Sequence, residues 1–337
     1  MRWEIDPPLP TALQIEITSA CNLRCAMCLV RYRPPVNKLA GAMPLELFRR
    51  IVDGLPTLRR LTLQGLGEPL LSPYLLDQIR YAKALGITVG FNSNATLLSR
   101  AKADALVAAG VDWLHVSVDG ARPETFSGIR DGADLDVVLA NLRGLVAAKA
   151  AAGTATPWIR AVCVAMRRNV AELPSLVQTL AELGVDELRV QNLSHSFDDT
   201  DPGGGYAGIR SFTAAEALWT GADQAAARTA FVAAAAAADR HGLTLRLPAL
   251  DAVATLVADD EPACTWPWDS AYVTSSGVVQ PCCMVMGDDR IALGRLDRQS
   301  FVEVWHGPAY REFRSRMMSD AEPPDVCRGC SLYRRMF

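Results

Sequence analysis

Two patterns of hydrophobic and polar residues alternate along the first 195 residues of the chain. Short runs rich in β-branched and aromatic residues predict strands, and longer runs with apolar residues three or four positions apart predict amphipathic helices. Their alternation indicates βαβ units and a parallel sheet in an α/β fold. Six strands are predicted, fewer than the eight of a closed barrel. They are ALQIEIT, RLTLQG, ITVGFNSN, WLHVSV, WIRAVCVAM and ELRVQNL.

The helical runs lie between these strands, and several end at glycine, which readily adopts the left-handed conformation that follows a helix. They are PLELFRRIVDGL, LLDQIRYAKALG, SRAKADALVAAG, DVVLANLRGLVAAKAAAG and VAELPSLVQTLAELG.

The pattern changes after the sixth strand. QNLSHSFDDTDPGGGYAG is rich in glycine and aspartate and predicts a loop. The stretch 212–258 is rich in alanine and predicts a helical connector. From Cys264 onward the chain is rich in cysteine, proline and tryptophan, which indicates a second, small domain with short strands.

Composition narrows the class of protein. The chain has 337 residues, is 50% hydrophobic and carries a net charge of -3, so it has no basic footprint for nucleic acid. No apolar run of about 18 residues predicts a membrane span, and the N-terminus lacks the apolar core of a signal peptide. We therefore expect a cytoplasmic protein, in which cysteines are metal ligands or catalysts rather than disulfides.

Three cysteines follow the first strand closely in CNLRCAMC, at Cys21, Cys25 and Cys28. A [4Fe–4S] cluster normally takes four thiolates, so three would leave one iron open to another ligand. A zinc site needs a further His or Cys to complete it, and none is near in sequence. Zinc and unrelated buried thiols are the two alternatives.

This C-x3-C-x2-C loop after strand one resembles the radical S-adenosylmethionine (SAM) superfamily. The resemblance implies a partial (β/α)6 TIM-like barrel, here over residues 13–211 after an N-terminal segment 1–12. It implies that the open iron binds the amino and carboxylate groups of SAM. An electron, from a donor such as flavodoxin or ferredoxin, then cleaves SAM to methionine and a 5′-deoxyadenosyl radical that abstracts a substrate hydrogen.

LQGLGEPLL, after strand two, resembles the Gly-Gly-Glu-Pro loop of that family, with Leu66 in place of the first glycine. The resemblance implies that small residues at Gly65 and Gly67 let the backbone approach SAM. It also implies that Glu68 accepts a hydrogen bond from the SAM amino group. The alternative is an ordinary tight turn between a strand and a helix.

Further candidate SAM contacts lie at or after the strand ends. The resemblance implies polar contacts from the turn after strand three, contacts to ribose and carboxylate after strand four, a bidentate guanidinium for the carboxylate, and a backbone contact to adenine. Ordinary turn chemistry is the alternative for the turn residues, and a solvated charge at a helix entry is the alternative for the arginine. In that order the candidates are Asn92 and Asn94, then Ser117 and Asp119, then Arg130, then Met27.

The C-terminal cysteines resemble the SPASM/Twitch extension of radical SAM enzymes, through the C-x12-G-x4-C spacing of Cys264, Gly277 and Cys282. The chain stops seven residues after Cys330. Residues 259–337 are therefore expected to form the shorter form with one auxiliary [4Fe–4S] cluster, with Cys283 able to exchange roles with Cys282. A structural zinc site is the alternative, and Cys163 is expected to be a small buried hydrophobe. The four expected ligands are Cys264, Cys282, Cys327 and Cys330.

A fully ligated second cluster suits electron transfer, or it stabilises the fold. The barrel begins close to the N-terminus, so we expect no peptide-recognition domain and a small polar substrate of sugar, aminocyclitol or nucleoside type. Oxidation or dehydrogenation is the expected reaction, with decarboxylation, dehydration and epimerisation open. A peptide- or protein-modifying maturase is one alternative, and a metal-stabilised binding module without catalysis is another.

No catalytic residue is assigned by pattern alone. His195 is a candidate acid or base, and the acidic loop around it is a candidate for holding substrate hydroxyls or amines, with a solvated loop as the alternative. The basic residues after the cysteine loop are candidates for meeting a carboxylate or phosphate. These candidates are Asp198, Asp199 and Asp201 in the acidic loop, and Arg31, Tyr32 and Arg33 after the cysteines.

Overall fold

A computed structural model describes residues 3–32, 41–193, 195–198, 200, 203–218, 221–248, 264–285, 290–319, 323–330 and 333. Its strands form one sheet in the order β10-β9-β8-β1-β2-β3-β4-β5-β6-β7. The strands are β1 Ala12–Ile15, β2 Arg60–Leu63, β3 Thr88–Ser93, β4 Trp113–Ser117, β5 Trp158–Ala165, β6 Glu187–Asn192, β7 Thr244–Arg246, β8 Tyr272–Val273, β9 Val278–Gln280 and β10 Gly294–Arg295.

The helices connect and cover these strands. They are α1 Leu29–Tyr32, α2 Leu45–Asp53, α3 Leu75–Ala84, α4 Arg100–Ala109, α5 Pro123–Ile129, α6 Leu135–Ala151, α7 Leu173–Glu182, α8 Ala207–Glu216, α9 Gly221–His241, α10 Trp266–Asp269, α11 Phe301–Trp305, α12 Pro308–Met318 and α13 Asp325–Arg328, with short 3-10 turns at Pro69–Leu71 and Val170–Glu172. In the part of the chain that the structure describes, no helix has the length and apolar character to cross a membrane.

The six predicted strands and the α/β architecture are confirmed, and neighbouring strands from β1 to β7 pair in parallel. Several elements differ from the prediction. Helices α1, α5 and α10 to α13 were not predicted, and β7 is a seventh parallel strand inside the stretch 212–258 that was predicted to be helical. The C-terminal strands also extend the same sheet, because β8 pairs in parallel with β1. Residues 249–258 of the predicted connector lie outside the described residues.

The two faces of the sheet differ in character. On β5, Ile159, Ala161 and Cys163 are fully buried against the helices, while the alternating positions are only partly buried. The face without helices, called the inner face from here on, therefore presents half-exposed side chains on successive strands. Because side chains alternate along a strand, Gln64, Asn92 and Ser117 belong to this inner face.

The N-terminal segment packs against the C-terminal helices through a buried guanidinium. Arg314 lies between the rings of Trp305 and Tyr310, 4.2 and 4.4 Å from their centres. It donates to the carbonyl oxygens of Pro267 and Ile5. A charge buried this deeply needs such acceptors, so Arg314 helps to join the two ends of the chain inside an aromatic core, together with the indole N–H of Trp268, which donates to the Glu4 carbonyl oxygen.

Glu172 caps the entry to α5. Its carboxylate accepts from the backbone N–H groups of Ala121 and Arg122 and from the hydroxyl of Thr125, and it pairs with the Arg122 guanidinium. Burial alone would raise the pKa of Glu172, but these hydrogen bonds outweigh burial and lower it.

We predict that Glu172→Gln lowers the free energy of unfolding by roughly 1–3 kcal/mol at neutral pH, because charge-assisted hydrogen bonds are lost. A carboxyl group whose pKa is lower in the folded state than in the unfolded state stabilises the folded protein at pH values above its unfolded pKa of about 4.3. That stabilisation is lost as the pH falls through its pKa in the folded state. The difference in free energy of unfolding between the variant and the native protein, measured by urea unfolding, should therefore become smaller below about pH 4. Glu124→Gln, at an exposed position of α5, is the control; equal loss in both variants would contradict this role.

Candidate active site

The cysteine loop lies at the carboxyl end of β1, where loops of parallel barrels carry chemistry. Backbone hydrogen bonds fasten it to the segment after α5: Arg24 donates to Asp131 at 3.0 Å, and Ala26 donates to Ile129 at 2.7 Å. The hydroxyl of Tyr32 donates to the carbonyl oxygen of Ala26 at 2.7 Å. The loop is therefore held on two sides before any ligand binds.

The three thiols of this loop interact with one another. Burial raises the pKa of Cys21 and Cys25 and brings that of Cys28 to about 12, and Cys25 also raises the pKa of both Cys21 and Cys28. Two donors oppose this effect. The N–H of Leu23 donates to the Cys21 Sγ at 3.5 Å, and Nη1 of Arg130 lies 3.7 Å from the Cys25 Sγ.

These residues fit a cluster better than a single ion. All nine cysteines are described, and none forms a disulfide. Among the described residues, no three His, Cys, Asp or Glu side chains converge closely enough to hold one metal ion. The ligands of a [4Fe–4S] cluster bind different irons, so they need not converge on one point.

A buried ion pair lies beside the cysteine loop. Arg130 Nε donates to Asp119 Oδ2 at 2.6 Å, and Asp119 Oδ1 accepts from the N–H of Val164 at 2.7 Å. Asp119 is 0% exposed. Both oxygens of Asp119 accept from protein donors, so it positions Arg130 and β5, and its contact with SAM stays a prediction. Arg130 is also not the solvated helix-entry charge considered above, since it is buried at the end of α5.

Glu68 joins the loop after β2 to the end of β3. Its carboxylate, 2% exposed, accepts from the N–H groups of Leu70 and Asn94 and from the hydroxyl of Ser93. Burial raises the pKa of Glu68, and these three donors oppose the rise. The expected acceptor for the SAM amino group is thus engaged mainly within the protein.

Asn94 positions the cysteine loop through its amide. Its Nδ2 donates to Asn22 Oδ1 at 3.0 Å, and its Oδ1 accepts from the N–H of Thr96. Asn22 in turn donates to the Thr96 hydroxyl at 2.8 Å. Asn94 therefore contacts the loop between Cys21 and Cys25, rather than pointing free for a ligand.

The five C-terminal cysteines form a second group at the mouth of the barrel. Burial raises the pKa values of Cys264 and Cys282 and brings that of Cys283 to about 12, and all three thiols interact with Cys330. Cys282 also interacts with Cys327. The structure thus brings Cys283 into the group together with the four expected ligands.

His195 attaches this second group to the barrel. It forms a β-bridge with Cys330, its Nε2 lies 3.2 Å from the Val326 carbonyl oxygen, and its Nδ1 accepts from the N–H of Phe197. A Cβ at Gly329 would lie 2.7 Å from the His195 ring, so only glycine permits this approach. The ring is 4% exposed, which does not suit the expected role as an acid or base for substrate.

Comparison with known proteins supports both groups of cysteines. The Radical SAM superfamily profile matches residues 15–156, and the SPASM profile, described as an iron–sulfur cluster-binding domain, matches residues 264–331. The chain contains a radical SAM domain followed by a SPASM domain. The first domain binds a [4Fe–4S] cluster and SAM, and the second binds auxiliary iron–sulfur.

Individual relatives share different portions of the chain. The tungsten-containing aldehyde ferredoxin oxidoreductase cofactor-modifying protein of Pyrococcus furiosus is 35% identical over 185 residues, covering 54% of this chain and 51% of that protein. This radical SAM chain thus spans about half the length of that relative. The PqqA peptide cyclase of Streptomyces rochei is 28% identical over 323 residues, covering 91% of this chain and 78% of that protein. SAM-bound SuiB of Streptococcus suis has the same fold, with a TM-score of 0.70, 17% identity, and 96% and 71% coverage.

Two polar atoms near the radical SAM loop are buried without a partner. They are the hydroxyl oxygen of Ser19 and Oδ1 of Asn92, neither of which has a hydrogen-bond partner among the described residues. Unsatisfied buried polar atoms are costly and rare, so these atoms fit a bound polar ligand such as SAM. Ser117 is half-buried on the same inner face as Asn92, and Met27 packs its side chain against Ile129.

The candidates for substrate contact are mostly engaged elsewhere. Arg31 pairs with Asp131 at 3.3 Å and donates to the Arg24 carbonyl oxygen. Asp198 is 61% exposed and lies 3.9 Å from Arg210. Of the remaining candidates, Arg33, Asp199 and Asp201 lie outside the described residues.

Sequence reasoning missed Glu16, a buried carboxylate just after β1. It accepts from the N–H of Leu66 and from the hydroxyls of Tyr272 and Ser275. A charged residue inside an apolar strand pattern was the available signal. Glu16 joins the Gly-rich loop to the SPASM domain.

The glycines of the loop after β2 serve the protein's own packing. A Cβ at Gly65 would overlap the Glu16 side chain, and one at Gly67 would lie 2.6 Å from the Ala20 carbonyl oxygen and overlap that of Thr18. The backbone approach inferred from the family is thus made, in this structure, to the segment that leads into the cysteine loop.

We predict that Gly67→Ala displaces this segment and lowers the thermal midpoint by several degrees, because backbone oxygens cannot move as a flexible side chain can. SAM binding by the reconstituted protein should weaken as well. Gly144→Ala is the matched control, since a Cβ at Gly144 on α6 meets nothing within 4 Å. A Gly67→Ala protein as stable as Gly144→Ala would refute the packing argument.

Proposed function

We propose that this protein is an enzyme that modifies a peptide by radical SAM chemistry. The observation that carries the proposal is the similarity to a PqqA peptide cyclase over 91% of this chain, which spans both cysteine groups. This similarity favours the peptide-modifying alternative over the small polar substrate expected from the sequence.

The inner face of the sheet also supports a peptide. Half-exposed side chains line it on several strands, from Gln64 on the β2 side to Val164 and Gln191 on β5 and β6. Such a wall offers polar and apolar contacts along the strands, which an extended peptide segment needs.

Cys21, Cys25 and Cys28 are the proposed ligands of the first cluster. When bound, the cluster and SAM supply a 5′-deoxyadenosyl radical that abstracts a hydrogen atom. Arg130, which Asp119 holds through Nε, is the proposed partner of the SAM carboxylate, through the guanidinium atoms that Asp119 does not use.

The proposed auxiliary ligands are Cys264, Cys282, Cys327 and Cys330, with Cys283 close enough to replace Cys282. Because His195 holds the Cys327–Cys330 turn against the loop after β6, this cluster would lie at the barrel mouth. That position suits a cluster that accepts the electron left on the substrate after hydrogen abstraction, and an external flavodoxin or ferredoxin would complete the electron path.

We predict that anaerobically reconstituted protein binds about eight iron atoms, for two [4Fe–4S] clusters. Replacing Cys21, Cys25 and Cys28 together with Ala should leave about half of the iron and abolish 5′-deoxyadenosine formation. Cys163→Ala is the control and should keep all the iron, because Cys163 is buried in β5 on the helix side of the sheet. Full iron in the triple variant would remove these residues from the cluster.

We predict that peptides encoded by short reading frames beside the gene stimulate SAM cleavage. With SAM and dithionite, one of them should lose two hydrogen atoms, measured by mass spectrometry, and the triple cysteine variant should leave it unchanged. Stimulation by a sugar, an aminocyclitol or a nucleoside, and by no such peptide, would reject the proposal.

A further inference from the structure

Four arginines lie on the inner face near the amino ends of the strands, away from the cysteine loop. The strand register places Arg160 opposite Glu187 and Arg189 opposite Arg246. Arg60 opens β2 and faces the same side, because its guanidinium stacks on Trp113. With one carboxylate, Glu187, among four guanidiniums, the patch carries a formal charge of +3. The arginine wall is defined as Arg60, Arg160, Arg189 and Arg246.

The single carboxylate of this patch is already shared. Glu187 is 1% exposed, and it pairs with Arg160 at 2.5 Å and with Arg246 at 2.9 Å. Neither Arg60 nor Arg189 forms an ion pair with any residue that the structure describes. Two guanidiniums of the arginine wall therefore have no ion-pair partner among the described residues, although the charge of Glu187 acts on Arg189.

Aromatic rings hold two of the four guanidiniums, those of Arg60 and Arg160, in place. Arg60 lies 5.1 Å from the centre of the Trp113 ring, and Arg160 lies 4.7 Å from that of Trp158. A Cβ at Gly90 would overlap the Trp113 indole, so glycine allows that ring to lie flat on β3. Trp113 is 5% exposed, and its indole N–H has no described partner. Stacked guanidiniums lose less freedom when they bind an anion.

His115 packs against the Trp113 ring, 4.4 Å between ring centres, and adds no charge. Its Nε2 is 3.3 Å from Arg160 Nη1. Burial, with Arg160, Arg60 and Arg189, lowers its pKa to about 3, so the ring accepts from the guanidinium in its neutral form. The positive charge of the arginine wall is thus set by the arginines and Glu187.

We propose that the arginine wall binds a carboxylate of the peptide substrate, through Arg60 and Arg189. Guanidinium–carboxylate pairs are bidentate and charge-assisted, which gives both affinity and register. Arg60 precedes Gln64, at the carboxyl end of β2, by four residues, a rise of about 13 Å. An extended peptide covers that length in about four residues, so we expect an acidic residue or C-terminal carboxylate about four positions from the modified residue. This inference rests on the proposed function.

Isothermal titration of the reconstituted protein, without reductant, tests the proposal with hexaglutamate and hexaglutamine as probes. Hexaglutamate should bind and hexaglutamine should not. The Arg60→Gln, Arg189→Gln double variant should bind hexaglutamate at least about tenfold more weakly than the native protein, because charge-assisted contacts are lost. Arg143→Gln, Arg240→Gln is the matched control, with the same change in charge on exposed helix positions, and should bind as the native protein does.

Equal affinity of hexaglutamate for all three proteins would overturn the proposal. Equal affinity of the native protein for hexaglutamate and hexaglutamine would overturn it as well. Inorganic phosphate is the third probe, and binding of phosphate without hexaglutamate would also reject a peptide carboxylate. The titration needs no turnover. An arginine-dependent titration with no peptide modified would reject the proposed function alone, whereas peptide modification with unchanged affinities would reject only this inference.

Discussion

The buried ion pair between Asp119 and Arg130 is the contact on which the cysteine loop depends. Asp119 bonds both to Arg130 and to the backbone of β5, and Arg130 reaches the sulfur of Cys25. Removing one partner of such a pair leaves an uncompensated buried charge, at a cost of about 3–5 kcal/mol. The position of the three thiols is therefore set by the ends of β4 and β5 as much as by the loop itself.

The same logic extends around the carboxyl end of the sheet. Glu16 and Glu68 are buried carboxylates that each accept from several elements, and both lie beside the loop after β2. Their donors come from separate parts of the chain. A rigid frame of this kind fixes the catalytic loops in advance, which radical chemistry requires if the reactive species is to meet only its intended hydrogen atom.

The first six strands, the long helices between them and the two cysteine groups could be predicted because their signals are local. Alternation identified all six predicted strands, and cysteine spacing identified both groups of thiols. Local pattern does not say whether a polar residue at a strand end faces a ligand or a partner far along the chain. Asp119 and His195 were assigned to ligands for this reason, although their partners lie 11 and 131 residues away. Strands of two or three residues, such as β7 and β8, are too short to show an alternation of hydrophobic and polar residues.

The pairing of β8 with β1 has a consequence for how the chain folds during synthesis. Gln14 pairs with Tyr272, and Arg314 donates to Ile5, so the first strand finds its last neighbours only after most of the chain has left the ribosome. Until then β1 has one open edge, and exposed edges of this kind invite aggregation. Contacts of such long sequence separation also form slowly. The SPASM domain thus covers an edge of β1 that is open until Tyr272 and Val273 have been synthesised, and a cluster inserted before then would enter a protein whose sheet is incomplete.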